Sequence, residues 1–460
     1  MDHSSQLGSE RIGRLLVRMS APAMVGLIVQ AFYNLTDTIF VGRGVGSLAI
    51  AGIAISFPVQ ILVMAIAQTF GIGSASIVSR SLGAGEPDRA RRTLGNLFSI
   101  VILASAVIAV FGSLFLDPLL RLFGATDTIL PYGQDYLRII LLGTPFFMFA
   151  MATNAVVRSE GNARVAMGAM IIAGLLNIVL DPLLIYGFHM GIRGAALATV
   201  LAQATTVVYL VYYFAGSRSS LRTRLSDLRL DGGIVWESFA IGSGSGLRQA
   251  AGSFTTMILN NTLAAYGGDT AIAAFGVINR MIMFLFLPMF GVVQGMMPIV
   301  GFNYGARQLD RARHAIRLSG VVTTIMSFAT TAILIGVPGL LMRIFSNDEA
   351  LITMAVPAIR VIVIAFPTVG FQVIAAGMYQ ALGRPLPAMV LALLRQVILL
   401  APLIVILPRF LKLSGVWTSF PIADGLAAIV TAVMLVFALR TLRDPRQEMD
   451  SQVVAEPTEP

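Results

Sequence analysis

The sequence predicts an all-α integral membrane protein, with twelve transmembrane helices arranged as two pseudo-symmetric six-helix bundles. Three observations support this fold class: a hydrophobic composition, a series of windows without charge, and an internal repeat. Of the 460 residues, 57% are hydrophobic and 12% are charged, whereas a soluble globular protein carries about 25% charged residues. We therefore expect most of the folded surface to contact lipid.

The windows are each long enough to cross a bilayer as a helix, which takes about 20 apolar residues. The first lies between Arg18 and Arg43 and holds a single ionisable side chain, Asp37. Eight windows hold no charge: 44–79, 93–116, 139–157, 194–217, 249–268, 281–306, 318–342 and 361–383. Three windows hold one charge each: 165–192, 385–408 and 413–439. Together they predict twelve spans.

The chain repeats itself at an offset of 222 residues. The run Asp88–Arg91 returns as Asp310–Arg313, Pro145 returns as Pro367, and the same offset relates further identical residues. These are Ile50-Ala51 and Ile272-Ala273, Gly73 and Gly295, Gly83 and Gly305, Phe123 and Phe345, Arg138 and Arg360, and Gly161 and Gly383. Because each half holds an even number of spans, the halves share one topology and are related by an axis along the membrane normal.

The repeat and the loops predict the domain limits and the orientation. We expect a cytoplasmic N-terminus (1–13), an N-terminal lobe (14–217), a cytoplasmic linker (218–235), a C-terminal lobe (236–442) and a polar cytoplasmic tail (443–460). With the N-terminus in the cytoplasm, the cytoplasmic segments hold 21 of the 32 Lys and Arg residues and the outer loops hold 6. This bias follows the positive-inside rule and predicts that both termini are cytoplasmic.

Several function classes are disfavoured by the residues that the chain lacks. The cations are scattered through short loops and form no patch, so we expect no nucleic-acid partner. There is no cysteine, which excludes disulfides, thiolate zinc sites and cysteine nucleophiles. The three histidines show no ligand spacing. We therefore predict neither an enzyme nor a resident cofactor.

Intramembrane carboxylates break the repeat. Asp37 maps by the offset onto Leu259, and Asp181 maps onto Leu403. A carboxylate in lipid is costly and normally faces a cavity that serves a transport pathway. Two structural alternatives remain open. Asp37 could lie at the interface, where it caps a helix end or pairs with Arg43, and Asp181 could be a helix-end residue near the outer surface.

The fifth span adds an amide to this pattern. Asn177 and Asp181 are spaced i, i+4, which places them on one helix face, and Pro182 removes a backbone donor directly after them. Two carboxylates, an amide and a hydroxyl such as Thr199 would form an oxygen site. Such a site suits a small cation, or a proton shared between like charges.

The C-terminal half carries a different intramembrane charge. Asp424 in the last span has two candidate partners at similar depth, Arg360 and Arg395. We interpret this pair as structural, because a buried charge needs a partner of opposite sign.

Four runs of the chain resemble the multidrug and toxic compound extrusion (MATE) family, most closely its MepA-like, DinF-related branch. They are YNLTDTIFVG, SRSLGAGEPDRARRTL, NIVLDPLLIYG and GVVQGMMPIVGFNYGA. The resemblance implies a twelve-helix antiporter that exports cationic or amphipathic organic compounds in exchange for Na⁺ or H⁺. It implies that the coupling ion, including Na⁺ as a bound metal, is held by Asp37, Asn177, Asp181 and Thr199.

The resemblance also implies a substrate cavity and a hinge. A cavity-lining asparagine of the fourth helix falls on Asn154, and the proline about which the first helix bends falls on Pro22. We add as cavity candidates Tyr33, Asn34, Gln203, Arg280 and Gln294. In one branch of the family the coupling carboxylate lies in the C-terminal lobe, where this chain has Leu259 and Leu403.

The sequence thus predicts a secondary active multidrug efflux antiporter in a prokaryotic inner membrane, working as a monomer in the lipid bilayer. The alternative is a related flippase or exporter of a lipid-linked or endogenous metabolite. A phosphate-bearing substrate would need several cations, and Arg248 and Arg280 are the only candidates.

Overall fold

The computed structural model describes residues 3–216, 219–345 and 348–442, which are almost entirely helical and contain no strand. The first lobe has six spans: Ile12–Gly44, Ser47–Gly83, Pro87–Leu114, Leu130–Ser159, Ala163–Gly187 and Gly191–Ala215. The second lobe is built from Gly232–Gly305, Leu309–Gly336, Glu349–Ile362 with Phe366–Ala381, Pro385–Ile406 and Pro408–Thr441.

The longest helix, Gly232–Gly305, is two spans. Its 74 residues would reach about 110 Å as one straight helix, several times the thickness of a bilayer core. The chain reverses at Gly268, whose φ of 66° glycine adopts without steric cost. Within the residues that the structure describes, ten helices are long and apolar enough to cross a membrane. Counting this helix as two spans and adding the bent pair gives the twelve that the sequence predicts.

Two kinds of irregularity interrupt the spans. The tenth span bends by 49° between Ile362 and Phe366. The fifth changes to a π-helix over Leu183–Gly187, where the N–H of Phe188 bonds the carbonyl of Leu183 at 3.0 Å. This change follows Pro182, which has no N–H to continue the α-helical pattern. π-Helical turns are frequent at functional sites.

The two lobes meet through glycines at one end of the molecule. A Cβ on Gly83 would lie 1.9 Å from the carbonyl oxygen of Phe302, and a Cβ on Gly305 would lie 2.0 Å from that of Arg80. A Cβ on Gly73 would likewise lie 1.8 Å from the carbonyl oxygen of Ser238. Only glycine permits this backbone approach, so the lobes are in close contact here.

Polar contacts join the lobes at the same end. Glu237 accepts hydrogen bonds from Arg80 at 3.0 Å and from Arg89 at 2.8 Å. The hydroxyl of Ser74 donates to that of Ser238 at 3.2 Å. Among the described residues, the hydrogen bonds between the spans of the two lobes all lie at this end, which we call the closed end. It is the end at which the first span begins.

Two segments outside the spans also pack at the closed end. The helix His3–Ser9, which the sequence does not predict, docks on the second lobe, where Asn303 donates to the carbonyl of Leu7 at 2.9 Å. The described part of the linker is held by the first lobe, because Arg91 donates to Asp227 at 2.8 Å. The predicted polar tail, 443–460, lies outside the described residues.

A candidate coupling site in the first lobe

The first, fifth and sixth spans pack closely enough to bring their polar side chains together. Gly174 of the fifth span faces the first span, where an added Cβ would lie 2.8 Å from Val29 and 3.3 Å from the ring of Tyr33. Gly194 of the sixth span faces the fifth, where an added Cβ would lie 2.8 Å from the backbone of Leu184. Small residues at these crossings place the three helices side by side.

Asn177, Asp181 and Thr199 form one hydrogen-bonded group in this bundle. The amide of Asn177 donates to Asp181 Oδ1 at 3.3 Å and to Thr199 Oγ1 at 3.4 Å. Asn177 is 1% exposed and Asp181 is 0% exposed. The i, i+4 relation that the sequence predicts is therefore present in the structure, and the sixth span supplies the predicted hydroxyl.

Asp37 reaches this group from the first span. Its half-buried carboxyl lies beside the carboxyl of Asp181, close enough for the two groups to interact electrostatically. Three buried oxygens in the group have no hydrogen-bond partner among the described residues: Asp37 Oδ1, Asp181 Oδ2 and Asn177 Oδ1. Buried polar atoms are normally satisfied, and unsatisfied ones require an explanation. Here all three belong to neighbouring side chains.

The structural alternatives for the two carboxylates do not describe this arrangement. Arg43 is exposed and makes no ion pair with Asp37 in the described structure. Asp181 is fully buried inside the fifth span rather than exposed at its end. Both carboxylates lie at the meeting point of three spans.

Two residues that the sequence did not predict as site residues lie near the carboxyl of Asp37. Tyr136 of the fourth span is 4% exposed and lies near the carboxyl of Asp37. Gln60 of the second span lies near the hydroxyl of Tyr136, and the buried amide nitrogen of Gln60 has no hydrogen-bond partner among the described residues. The internal repeat carries a signal for both residues, because each polar side chain has an apolar counterpart in the second lobe: Tyr136 maps onto Ala358 and Gln60 onto Ile282.

Three predicted cavity residues lie beside the carboxylates. Tyr33 is one helical turn before Asp37 and interacts with the side chain of Gln30. Asn34 is exposed on the same helix. Gln203 is half-buried and one turn after Thr199, and residues four apart are neighbours on a helix surface.

The other cavity candidates lie elsewhere. Asn154 is buried, donates to the carbonyl of Ala166 at 2.8 Å, and accepts from Arg158. Eighteen residues separate Asn154 from Tyr136 on the fourth span, which corresponds to about 27 Å along the helix. In this structure Asn154 therefore joins the fourth span to the fifth and does not contact the carboxylates.

Gln294, Arg280 and Pro22 also lie apart from the carboxylates. Gln294 has a buried amide oxygen without a partner among the described residues, and its neighbour Gly291 packs on Met24, where an added Cβ would lie 2.4 Å from Cγ. Arg280 is exposed on the eighth span. Pro22 is half-buried within the continuous helix Ile12–Gly44.

In the second lobe, Asp424 pairs with Arg395, which resolves the choice that the sequence left open. The guanidinium of Arg395 donates to both carboxylate oxygens of Asp424. It also lies 5.8 Å from the ring centroid of Phe366, in the range of a cation–π contact. The other candidate, Arg360, is exposed.

Known proteins are similar to this chain in sequence and in fold. The MatE family model matches the chain twice, over residues 22–183 and 245–406. The multidrug export protein MepA of Staphylococcus saprophyticus is 29% identical over 429 residues, which cover 92% of this chain and 93% of that protein.

Solved structures agree with this match. The MATE multidrug transporter DinF-BH, solved as a ligand complex, is 42% identical with a TM-score of 0.87, covering 93% of this chain and 96% of that one. A MOP superfamily transporter from Pyrococcus furiosus is 26% identical with a TM-score of 0.88, covering 95% and 98%. The chain therefore belongs to the MatE family of multi-pass membrane transporters, which are not enzymes.

Proposed function

We propose that this protein is a secondary active multidrug efflux antiporter, which exports cationic or amphipathic organic compounds in exchange for Na⁺ or H⁺. The observation that carries the coupling proposal is a set of three buried oxygens, on the neighbouring side chains of Asp37, Asp181 and Asn177, that have no hydrogen-bond partner among the described residues. Leaving a buried polar group unsatisfied costs about 1–3 kcal/mol. A bound ion or proton removes that cost. The names of MepA and DinF-BH support the multidrug assignment.

The donor set suits either ion. Carboxylate, amide and hydroxyl oxygens are hard ligands of the kind that hard cations prefer. Both N–H groups of the Asn177 amide are engaged by Asp181 and Thr199, so its oxygen is left for a cation. The two adjacent carboxylates can alternatively share one proton, because a proton between them relieves their mutual repulsion.

Ion binding can be coupled to transport because the site lies between the first span and the fifth and sixth spans. Asp37 is on the first span, and its partners are on the fifth and sixth. Binding of an ion draws these helices together, and bending of the first span at Pro22 would change the distance between them. An ion drives transport only if it binds the two conformations with different affinity. Tyr33 and Gln203 border the carboxylates, so a cationic substrate there competes with the ion for the same charge.

The proposed topology places the site in an alternating-access cycle. We propose that both termini are cytoplasmic, that the lobes 14–217 and 236–442 rock about the linker 218–235, and that one chain in the inner membrane is the working unit. The closed end then faces the cytoplasm. The conformation described here corresponds to the outward-facing state.

The test is efflux of a fluorescent organic cation from proteoliposomes, with a sodium gradient and a pH gradient imposed separately. We expect one gradient to drive efflux in the wild type, and Asp37→Asn to abolish it. The matched control is Asp269→Asn, which removes an exposed carboxylate at the turn between the seventh and eighth spans. Efflux at the wild-type rate in Asp37→Asn would refute the coupling assignment. No transport by folded wild type with either gradient would favour the flippase alternative.

A further inference from the structure

A cavity of about 670 Å³ opens between the first and fifth spans at the closed end. It lies beside Pro22 and is lined on one side by the start of the first span, through Glu10, Arg14, Val17 and Arg18. Arg164, at the start of the fifth span, lines the other side. This cavity plays no part in the coupling site described above.

The cavity is positively charged, so the sequence-based expectation that the cations form no patch is wrong at this place. Arg14 and Arg164 are exposed, and Arg18 pairs with Glu10 at 3.2 Å. Three arginines and one acid line the cavity, so it carries a net excess of two positive charges. Arg14 and Arg18 are four residues apart and therefore lie on one helix face. Guanidinium groups bind phosphate through parallel hydrogen bonds, a geometry that several converging arginines favour.

An apolar stripe continues from the arginines toward the centre of the membrane. Val17, Ala21 and Val25 follow one another at intervals of four residues on the first span, and all three are exposed. Val17 is 67% exposed and Val25 is 44% exposed, so both side chains are free to contact an apolar ligand. A cationic cavity that continues into an apolar stripe fits a ligand with an anionic head and a hydrocarbon tail.

The second lobe shows that the fold requires neither the arginines nor the cavity. At the offset of 222, Arg14 maps onto Trp236, Arg18 onto Ala240 and Arg164 onto Leu386, so the equivalent place is apolar. An excess of positive charge on the cytoplasmic side therefore does not explain why arginines cluster between these two spans.

The backbone differs between the lobes at the same place. Pro22 maps onto Gly244, where an added Cβ would lie 3.1 Å from the Cα of Met389 in the eleventh span. The seventh and eleventh spans are thus in close backbone contact where the first and fifth leave a cavity. Among the described residues, the seventh and eleventh spans therefore approach each other more closely at this position than the first and fifth spans do.

We propose that this cavity binds the headgroup of an anionic membrane phospholipid. Arg14, Arg18 and Arg164 hold the phosphate, and the acyl chains lie along the exposed valines of the first span. Basic pockets between transmembrane helices bind anionic headgroups in this way. The lipid bridges the first and fifth spans, the two helices that carry the carboxylates, at the proline of the first span.

The test is lipid binding, which needs no transport and is therefore independent of the proposed coupling. Purified full-length protein is titrated with phosphatidylglycerol or phosphatidylcholine, and retained lipid is measured by native mass spectrometry. We expect the wild type to retain phosphatidylglycerol in preference to phosphatidylcholine. We expect the double variant Arg14→Gln, Arg164→Gln to bind phosphatidylglycerol about thirtyfold more weakly.

The matched control is Arg92→Gln with Arg317→Gln, two exposed arginines at the starts of the third and ninth spans, which should bind lipid as the wild type does. Equal retention of both lipids by the wild type would overturn the proposal without reference to any variant. Undiminished binding by the Arg14→Gln, Arg164→Gln variant would also overturn it. Inorganic phosphate that displaces the lipid at equal concentration would assign the cavity to free phosphate instead.

Discussion

Gly83 and Gly305, which are 222 residues apart in the chain, lie at equivalent contacts on the two sides of the lobe interface. Gly83 faces the carbonyl of Phe302, and Gly305 faces the carbonyl of Arg80. Phe302 itself follows Arg80 by 222 residues, so the two contacts are related by the internal repeat. The closed end therefore rests on a symmetric pair of glycines.

We expect Gly83→Ala to destabilise the closed end, because the added methyl group would lie 1.9 Å from the carbonyl oxygen of Phe302. The chain has no cysteine, so Ser76→Cys introduces a single labelling site at the interface. The Ser76 hydroxyl donates to the carbonyl of Gln380 at 2.5 Å. A cost of about 1 kcal/mol to the closed state would raise the labelling rate about fivefold.

The control for this experiment is Gly276→Ala, since among the described residues no atom beyond the adjacent helix backbone lies within 4 Å of a Cβ at Gly276. Labelling should be unchanged in the control. If Gly83→Ala also left the labelling rate unchanged, the closed end would not depend on this glycine contact.

A disulfide across the lobes should stop transport. The hydroxyl oxygens of Ser74 and Ser238 are 3.2 Å apart, so Ser74→Cys with Ser238→Cys places two thiols within bonding reach. Oxidation is expected to lock the closed end and abolish efflux, and a reductant should restore it. The two single variants serve as controls. Full efflux by the oxidised, cross-linked protein would contradict a cycle in which the lobes separate here.

The pair of Arg395 and Asp424 should be structural. Removing one partner leaves a buried charge, so Asp424→Asn is expected to destabilise the protein by about 3 kcal/mol. Replacing both residues, Arg395→Met with Asp424→Leu, should recover most of that loss because no charge is left unpaired. Thermal unfolding in detergent measures both variants. A double variant as unstable as Asp424→Asn would contradict this expectation, because the two side chains would then stabilise the fold by more than neutralising each other's charge.

The sequence predicted the twelve spans and the centre of the candidate site, because both depend on local pattern. Charge-free windows identify helices that cross lipid, and the i, i+4 spacing of Asn177 and Asp181 fixes their relation on one helix. The offset was equally informative, since it isolated Asp37 and Asp181 as carboxylates without a counterpart in the second lobe.

What the sequence did not predict depends on contacts between distant segments. The helix His3–Ser9 is held by Asn303 of the other lobe, and no local pattern signals that partner. The choice of Arg395 over Arg360 for Asp424 depends on how the eleventh span faces the twelfth. Asn154 bonds the carbonyl of Ala166 in the next span, which its position in the fourth span alone does not show.

Asp37 and Asp181 are proposed to bind the coupling ion, and a direct measurement of ion binding tests this assignment most closely. Radioactive sodium binding and proton release on addition of substrate would be measured on purified wild type, Asp181→Asn and the control Asp269→Asn. We predict that wild type and control bind sodium or release a proton, and that Asp181→Asn loses this response at least about tenfold, as expected when one of two carboxylates is removed. Sodium binding and proton release in Asp181→Asn at the level of the wild type would contradict the assignment of these carboxylates to ion coupling.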